Sequence, residues 1–235
     1  MTLTSTPTSH AGLAERRRLG WTYVAAAGSW VGYLALALTV ANGYETALEE
    51  ASAATDTPVN RLPADVLAEI ARDHPGSVVT SLLIYAVPAI LVLAARRTRA
   101  VTGAAAPELL AWVSAAVLWT YFTLTVGLYA GPDHLPPLTR DLDVLTVPMV
   151  SAGSVLALLA FVAAAWSLHR HGWRPVASAV AAAIAAGLLV LSVVASVGSG
   201  WDEPVPPVGL LPAELVLGIA LVVGTRSRRV STELS

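Results

Sequence analysis

The sequence predicts an all-α membrane protein, a polytopic bundle of six transmembrane helices. The chain is 55% hydrophobic and only 13% charged, whereas a soluble domain carries about 25% charged residues. The run Ser77–Ala95 contains no charge, and a helix of about 20 apolar residues crosses a bilayer. Arginines follow this run at once, and similar basic clusters recur along the chain.

The first transmembrane helix is predicted at Trp21–Ala41. It follows Arg16-Arg17-Arg18 and a Ser/Thr-rich stretch, so residues 1–18 are expected to form a disordered cytoplasmic tail. A signal peptide has an apolar core of roughly 7–15 residues. The uncharged run here is longer, and we therefore expect this helix to be retained.

A short amphipathic helix is predicted at Pro63–Asp73, in the first outer loop. Its apolar and acidic residues fall on opposite helical faces. The apolar face carries Leu62, Val66, Leu67 and Ile70, and the acidic face carries Asp65, Glu69 and Asp73. We expect this helix to lie over the outer mouth of the bundle.

The second helix is the opening run, Ser77–Ala95, and four more apolar stretches complete the set. They are Glu108–Ala130, Val144–Leu168, Pro175–Val197 and Val208–Gly224. The transmembrane domain is thus expected over residues 19–225, followed by a cytoplasmic tail over residues 226–235.

Arginine distribution predicts the orientation. All fourteen basic residues are arginine, and eleven fall in segments that a six-helix order places on one side. The other side has only Arg61, Arg72 and Arg140. Short basic segments stay in the cytoplasm, so both termini are expected there, with the protein in the plasma membrane. This topology is similar to that of the substrate-capture subunits of vitamin importers, a likeness of topology and not of motifs.

Five residues are candidates for lining a ligand cavity. Glu214 is the one acidic residue placed below the membrane interface in a predicted transmembrane helix, and ionisable residues within the membrane are often functional. The alternative is a Glu near a helix start that reaches back to water. The other candidates are aromatic residues deep in the predicted helices, for which ordinary core packing is the alternative: Trp30, Tyr85, Trp119 and Tyr121.

Pro88 is predicted to kink the second helix. Proline cannot donate a hydrogen bond to the carbonyl of Ile84, four residues earlier. Such a kink is either static or a hinge.

Small residues at a spacing of four predict close helix packing. Gly28 and Gly32 form one such pair, and Ala179, Ala183 and Gly187 form a second series. Both are expected to pack within the bundle, and a dimer interface is the alternative.

His74 and His134 each follow an aspartate and fall on the predicted outer side. Imidazole with carboxylate suits zinc or copper, but no metal-binding spacing such as His-Glu-x-x-His occurs. Polar loop residues are the simpler interpretation, and we expect no bound metal or other cofactor.

Three functions stay open on these grounds. The first is small-solute binding or translocation through an outward-facing cavity, and the second is a non-catalytic subunit of a larger membrane complex or homo-oligomer. The third is an outer-face metal-dependent enzyme. The chain lacks lysine and a P-loop motif, which argues against nucleotide binding by that motif. Its arginines serve topology, so we expect lipid as a partner and no nucleic acid.

Overall fold

The computed structural model describes residues 10–39, 42–57, 62–74, 85–130, 146–198 and 207–223. Within these ranges 92% of the residues are helical and no strand occurs, which confirms the all-α prediction. The eight α-helices are α1 His10–Thr39, α2 Asn42–Thr55, α3 Ala64–Asp73, α4 Ala86–Thr102, α5 Ala106–Ala130, α6 Thr146–Arg170, α7 Pro175–Gly198 and α8 Leu210–Val223. A single 3-10 turn, Pro207–Gly209, leads into α8.

Six of these helices form a closed ring in chain order. α1 packs against α4, then each of α4 to α8 packs against the next, and α8 returns to α1. α6 also contacts α4 and α8 and is therefore the most central helix. The apolar stretch of α6 is 56% buried inside the protein, compared with 22% for the apolar stretch of α7.

Two helices of the described residues are long and apolar enough to cross a membrane. They comprise Pro148–Arg170 of α6 and Pro175–Gly198 of α7. Large apolar side chains lie exposed along the outside of α7, namely Val176, Val180, Val190, Leu191, Val193, Val194 and Val197. An exposed apolar surface of this kind marks contact with a membrane or a partner.

Glycines end two helices where the backbone must turn. Gly103 follows α4 with φ +74°, and its N–H donates to the carbonyl of Arg99 at 2.7 Å. Gly172, with φ +70°, lies in the short turn between α6 and α7. Pro175 then begins α7, a position where its missing N–H costs no hydrogen bond.

Two predicted boundaries were wrong. α1 begins at His10, so residues 10–18 are helical rather than part of a disordered tail. α4 continues past Ala95 through the arginines to Thr102. Arginine and alanine both favour helix, so a helix can continue through a basic cluster. The first half of the predicted second helix, up to residue 84, lies outside the described residues.

The segment after α1 contains one helix that the sequence analysis missed and one that it predicted. The missed helix is α2, and the predicted one is α3, whose Asp65, Glu69 and Asp73 are exposed. The two helices share a small apolar cluster of Tyr44, Leu48, Leu62 and Ala71. α3 also contacts α5, which attaches this pair to the bundle.

Candidate functional site

α1 and α8 approach each other closely at two glycines. A Cβ atom placed on Gly218 would lie 2.9 Å from the backbone nitrogen of Val24 and 3.1 Å from the carbonyl oxygen of Gly20. One placed on Gly20 would lie 3.0 Å from the backbone nitrogen of Val222. The helices are therefore antiparallel, with Gly20 opposite Val222 and Val24 opposite Gly218. One further turn along α1 brings the exposed Gly28 level with Glu214, so the two residues agree in height and not in direction.

Glu214 lies inside the bundle. Its side chain is 1% exposed, and its Oε2 atom has no hydrogen-bond partner among the described residues. Its height opposite Gly28 is about 15 Å from Arg18 and about 16 Å from Thr39, at 1.5 Å per residue. Glu214 is thus level with the middle of the Arg18–Thr39 part of α1, and its side chain is buried.

Trp30 is a second buried residue of α1 with an unpartnered polar atom. Its ring is 1% exposed, and its Nε1 donor has no partner in the described part of the chain. The Trp30 and Tyr33 rings meet edge to face, with centroids 6.2 Å apart. Trp30 is two residues beyond Gly28, so Glu214 and Trp30 differ in height by about 3 Å.

Tyr23 joins the site from one turn below on α1. Its hydroxyl is 3.0 Å from Thr98 Oγ1 on α4, and the Thr98 hydroxyl donates to the carbonyl of Ala94 at 2.9 Å. Tyr23 therefore donates to Thr98. The Tyr23 ring packs edge to face on Phe161 of α6.

Tyr23, Thr98 and Phe161 were not predicted from the sequence as residues of this site. Tyr23 resembled an interfacial aromatic residue because it is near Arg18 in the chain, and Thr98 stands between arginines. A helical-face count would have grouped Tyr23 with Ala27 and Trp30, three or four residues apart.

The other predicted cavity residues contact one another through a group of aromatic rings. Trp119 Nε1 donates to the carbonyl of Tyr85 at 3.0 Å. Phe122 contacts both Tyr85 and Tyr121, with ring centroids 5.4 Å and 5.2 Å apart. The five candidates therefore divide into two groups, and Glu214 and Trp30 alone belong to the α1–α8 site.

Pro88 lies in the first turn of α4, where a proline removes no intrahelical hydrogen bond. The predicted kink depends on Ile84, which is outside the described residues. The described residues therefore do not test the predicted kink or a hinge at Pro88.

The predicted packing glycines do not pack within the bundle. A Cβ atom placed on Gly28, Gly32 or Gly187 would meet no described atom within 4 Å. Ala183 is exposed and Ala179 is half-buried. Spacing alone does not say which face of a helix meets its neighbour, and the close contacts instead use Gly20 and Gly218.

His74 follows α3 and packs against Tyr44 of α2, with ring centroids 6.4 Å apart. His134 is outside the described residues. No group of three or more His, Cys, Asp or Glu side chains suited to a metal occurs in the ranges described above.

Several basic residues meet at one end of the bundle. Arg97 Nη1 donates to the carbonyl of Arg18 at 2.9 Å and also bonds the hydroxyl of Thr22. The guanidinium of Arg16 stacks on Trp173, 4.2 Å from the ring centroid. The arginines beside α1, α4 and α6 therefore share one end, about 15 Å along α1 from Glu214.

The α1–α8 site thus combines an acid and an indole N–H, both buried, with the Tyr23 ring nearby. Glu214 can accept hydrogen bonds or pair with a positively charged group, and the Trp30 indole can donate a hydrogen bond. No protein-family description, curated protein or solved structure matches this chain. The topological likeness to substrate-capture subunits therefore has no structural match behind it.

Proposed function

We propose that this chain is an integral membrane protein that binds a small solute inside its helix bundle, beside Glu214. The six ringed helices would each span the bilayer, and both termini would lie in the cytoplasm of a plasma-membrane protein. Two helices of sufficient length and apolarity and the exposed valines of α7 support a membrane setting. The gathering of arginines at one end supports the orientation, because basic segments remain cytoplasmic.

The buried carboxyl group of Glu214 carries the functional part of the proposal. A charged side chain at the bilayer centre costs about 2.5–3.5 kcal/mol on insertion scales. Glu214 is level with the middle of the Arg18–Thr39 part of α1. It is 1% exposed, and its Oε2 has no partner among the described residues. Buried polar atoms almost always have a partner, and a bound solute supplies one.

Native mass spectrometry of the purified protein tests this function. We expect a small copurified species on the wild-type protein and its loss in Glu214→Gln, which keeps the side-chain shape. Glu108→Gln is the matched control, because Glu108 pairs at the surface with Arg96 and Arg99. An absent species, or one that Glu214→Gln retains, would contradict the proposal.

A second candidate is a subunit that associates through the outward faces of α1 and α7. Its support is that Gly28, Gly32 and Gly187 have open space beside them, and small residues let membrane helices approach closely. The same spectra report stoichiometry. A Gly28→Leu, Gly32→Leu variant should then dissociate an oligomer, whereas a monomeric wild type contradicts this candidate.

A further inference from the structure

Two buried polar groups on facing helices have complementary chemistry. Glu214 Oε2 accepts hydrogen bonds when ionised, and Trp30 Nε1 can only donate. Both side chains are 1% exposed, and both atoms lack a partner among the described residues. Because unpaired buried polar groups are uncommon, two of them beside one helix contact indicate one ligand that pairs with both.

Helix geometry brings these two groups toward the same height. The Cα atoms of Glu214 and Trp30 differ in height by about 3 Å. Side chains lean toward the N-terminus of their own helix. Since α1 and α8 are antiparallel, Glu214 leans toward the height of Trp30 and Trp30 leans toward the height of Glu214. A ligand of a few atoms therefore suffices to reach both.

A ligand that binds Glu214 in its ionised form must bring a positive charge. An ionised carboxylate in an apolar interior is tolerated only when a positive charge pairs with it. Every ion pair formed by the described residues involves Glu15 or Glu108, and the gathered arginines are about 15 Å away along α1. The buried Tyr23 hydroxyl already donates to Thr98, and a neutral phenol supplies no positive charge.

Aromatic rings and the indole donor select an organic cation. The rings of Trp30 and Tyr23 are both buried on α1, and ammonium groups bind favourably to aromatic faces. An indole N–H cannot coordinate a metal ion because it has no lone pair to give. We propose that the bound solute is a small organic ammonium compound that also carries a hydrogen-bond acceptor, with its ammonium group at Glu214 and its acceptor at Trp30. This inference rests on the proposed function and specifies the ligand of that same site.

Three probes of nearly equal size separate the two contacts. Ethanolamine carries an ammonium group and an acceptor, ethylamine keeps only the ammonium group, and ethylene glycol keeps only the neutral polar groups. Each is titrated against the thermal unfolding of the full chain in detergent, with sodium chloride matching the ionic strength. The range is about 0.1 to 100 mM, because so small a probe binds no tighter than tens of micromolar.

The expected order of affinity is ethanolamine, then ethylamine, with no stabilisation by ethylene glycol. Glu214→Gln should weaken both amines about 10- to 100-fold, as for loss of a charged hydrogen bond. Trp30→Phe should leave ethylamine unchanged and weaken ethanolamine about 3- to 10-fold, so the two amines become equal. Glu108→Gln should change nothing, and unfolding without probe shows that each variant is folded.

Three results would overturn the ligand class: no stabilisation by either amine, equal stabilisation by ethylene glycol, or full ethanolamine affinity in Glu214→Gln. The proposed function fails on a different observation, the absence of a copurified species that depends on Glu214. A copurified species together with silent amines would keep solute binding and reject the ammonium class alone.

Discussion

Gly218→Ala should separate α1 from α8 and destabilise the bundle. The new methyl group would lie 2.9 Å from the backbone nitrogen of Val24 and 3.1 Å from the carbonyl oxygen of Gly20. Ordinary contact begins near 3.4 Å, so the helices must move apart by about 0.5 Å. Both opposing atoms belong to the backbone, and no side-chain rotation relieves the overlap. Overpacking of this kind costs about 1–3 kcal/mol.

Gly32→Ala is the matched control. It lies within α1, and an added Cβ there meets no described atom within 4 Å. Both substitutions gain helix propensity of up to about 1 kcal/mol, so this gain cancels when the two are compared. The free energy of unfolding of Gly218→Ala should therefore fall about 1–3 kcal/mol below that of Gly32→Ala.

Unfolding by sodium dodecyl sulfate in mixed micelles, followed by far-ultraviolet circular dichroism, measures this difference. Equal stabilities within 0.5 kcal/mol would refute the α1–α8 register, and with it the placement of Glu214 opposite Gly28. A loss of stability in Gly32→Ala alone would show instead that the outward face of α1 is an interface.

Three further predictions concern single contacts and orientation. Thr98→Val should lower the free energy of unfolding by about 1–3 kcal/mol in the same assay, because the buried Tyr23 hydroxyl loses its acceptor. Tyr23→Phe should lower it by only about 0.5–1.5 kcal/mol. Equal losses would contradict the direction of that hydrogen bond. Trp119→Phe should cost about 1 kcal/mol through loss of the bond to the Tyr85 carbonyl, and an unchanged stability argues against that bond. The chain has no cysteine, so cysteines at Ser5 and Ser231 should resist an impermeant thiol reagent in intact cells while one at the exposed Ala53 is labelled. Labelling of either terminus would overturn the proposed six-helix topology.

Properties that depend on neighbouring residues in the chain could be predicted from the sequence. Apolar runs, the prolines and the glycines define where five of the long helices end to within a few residues, since hydrophobic length and turn residues act locally. The amphipathic α3 was predicted for the same reason. α2, Asn42–Thr55, was missed although Tyr44, Leu48 and Ala51 recur at helical spacing, because its many acids and small residues were taken as part of a long loop. The extension of α1 and α4 into basic segments was missed because the change from apolar to basic residues was taken as the limit of the helix.

The candidate site depended on which helix faces meet, and only the tertiary structure decided that. Spacing selected Gly28 and Gly32, yet the ring arrangement turns them outward and brings Gly20 and Gly218 into backbone contact. Glu214 was identifiable from its sequence as an acid within an apolar run. Its similar height to Trp30 follows from the antiparallel register of α1 and α8, whose facing residues are nearly two hundred positions apart. Trp119 bonds instead to the Tyr85 carbonyl. No local pattern encodes that register, because close packing between distant segments sets it.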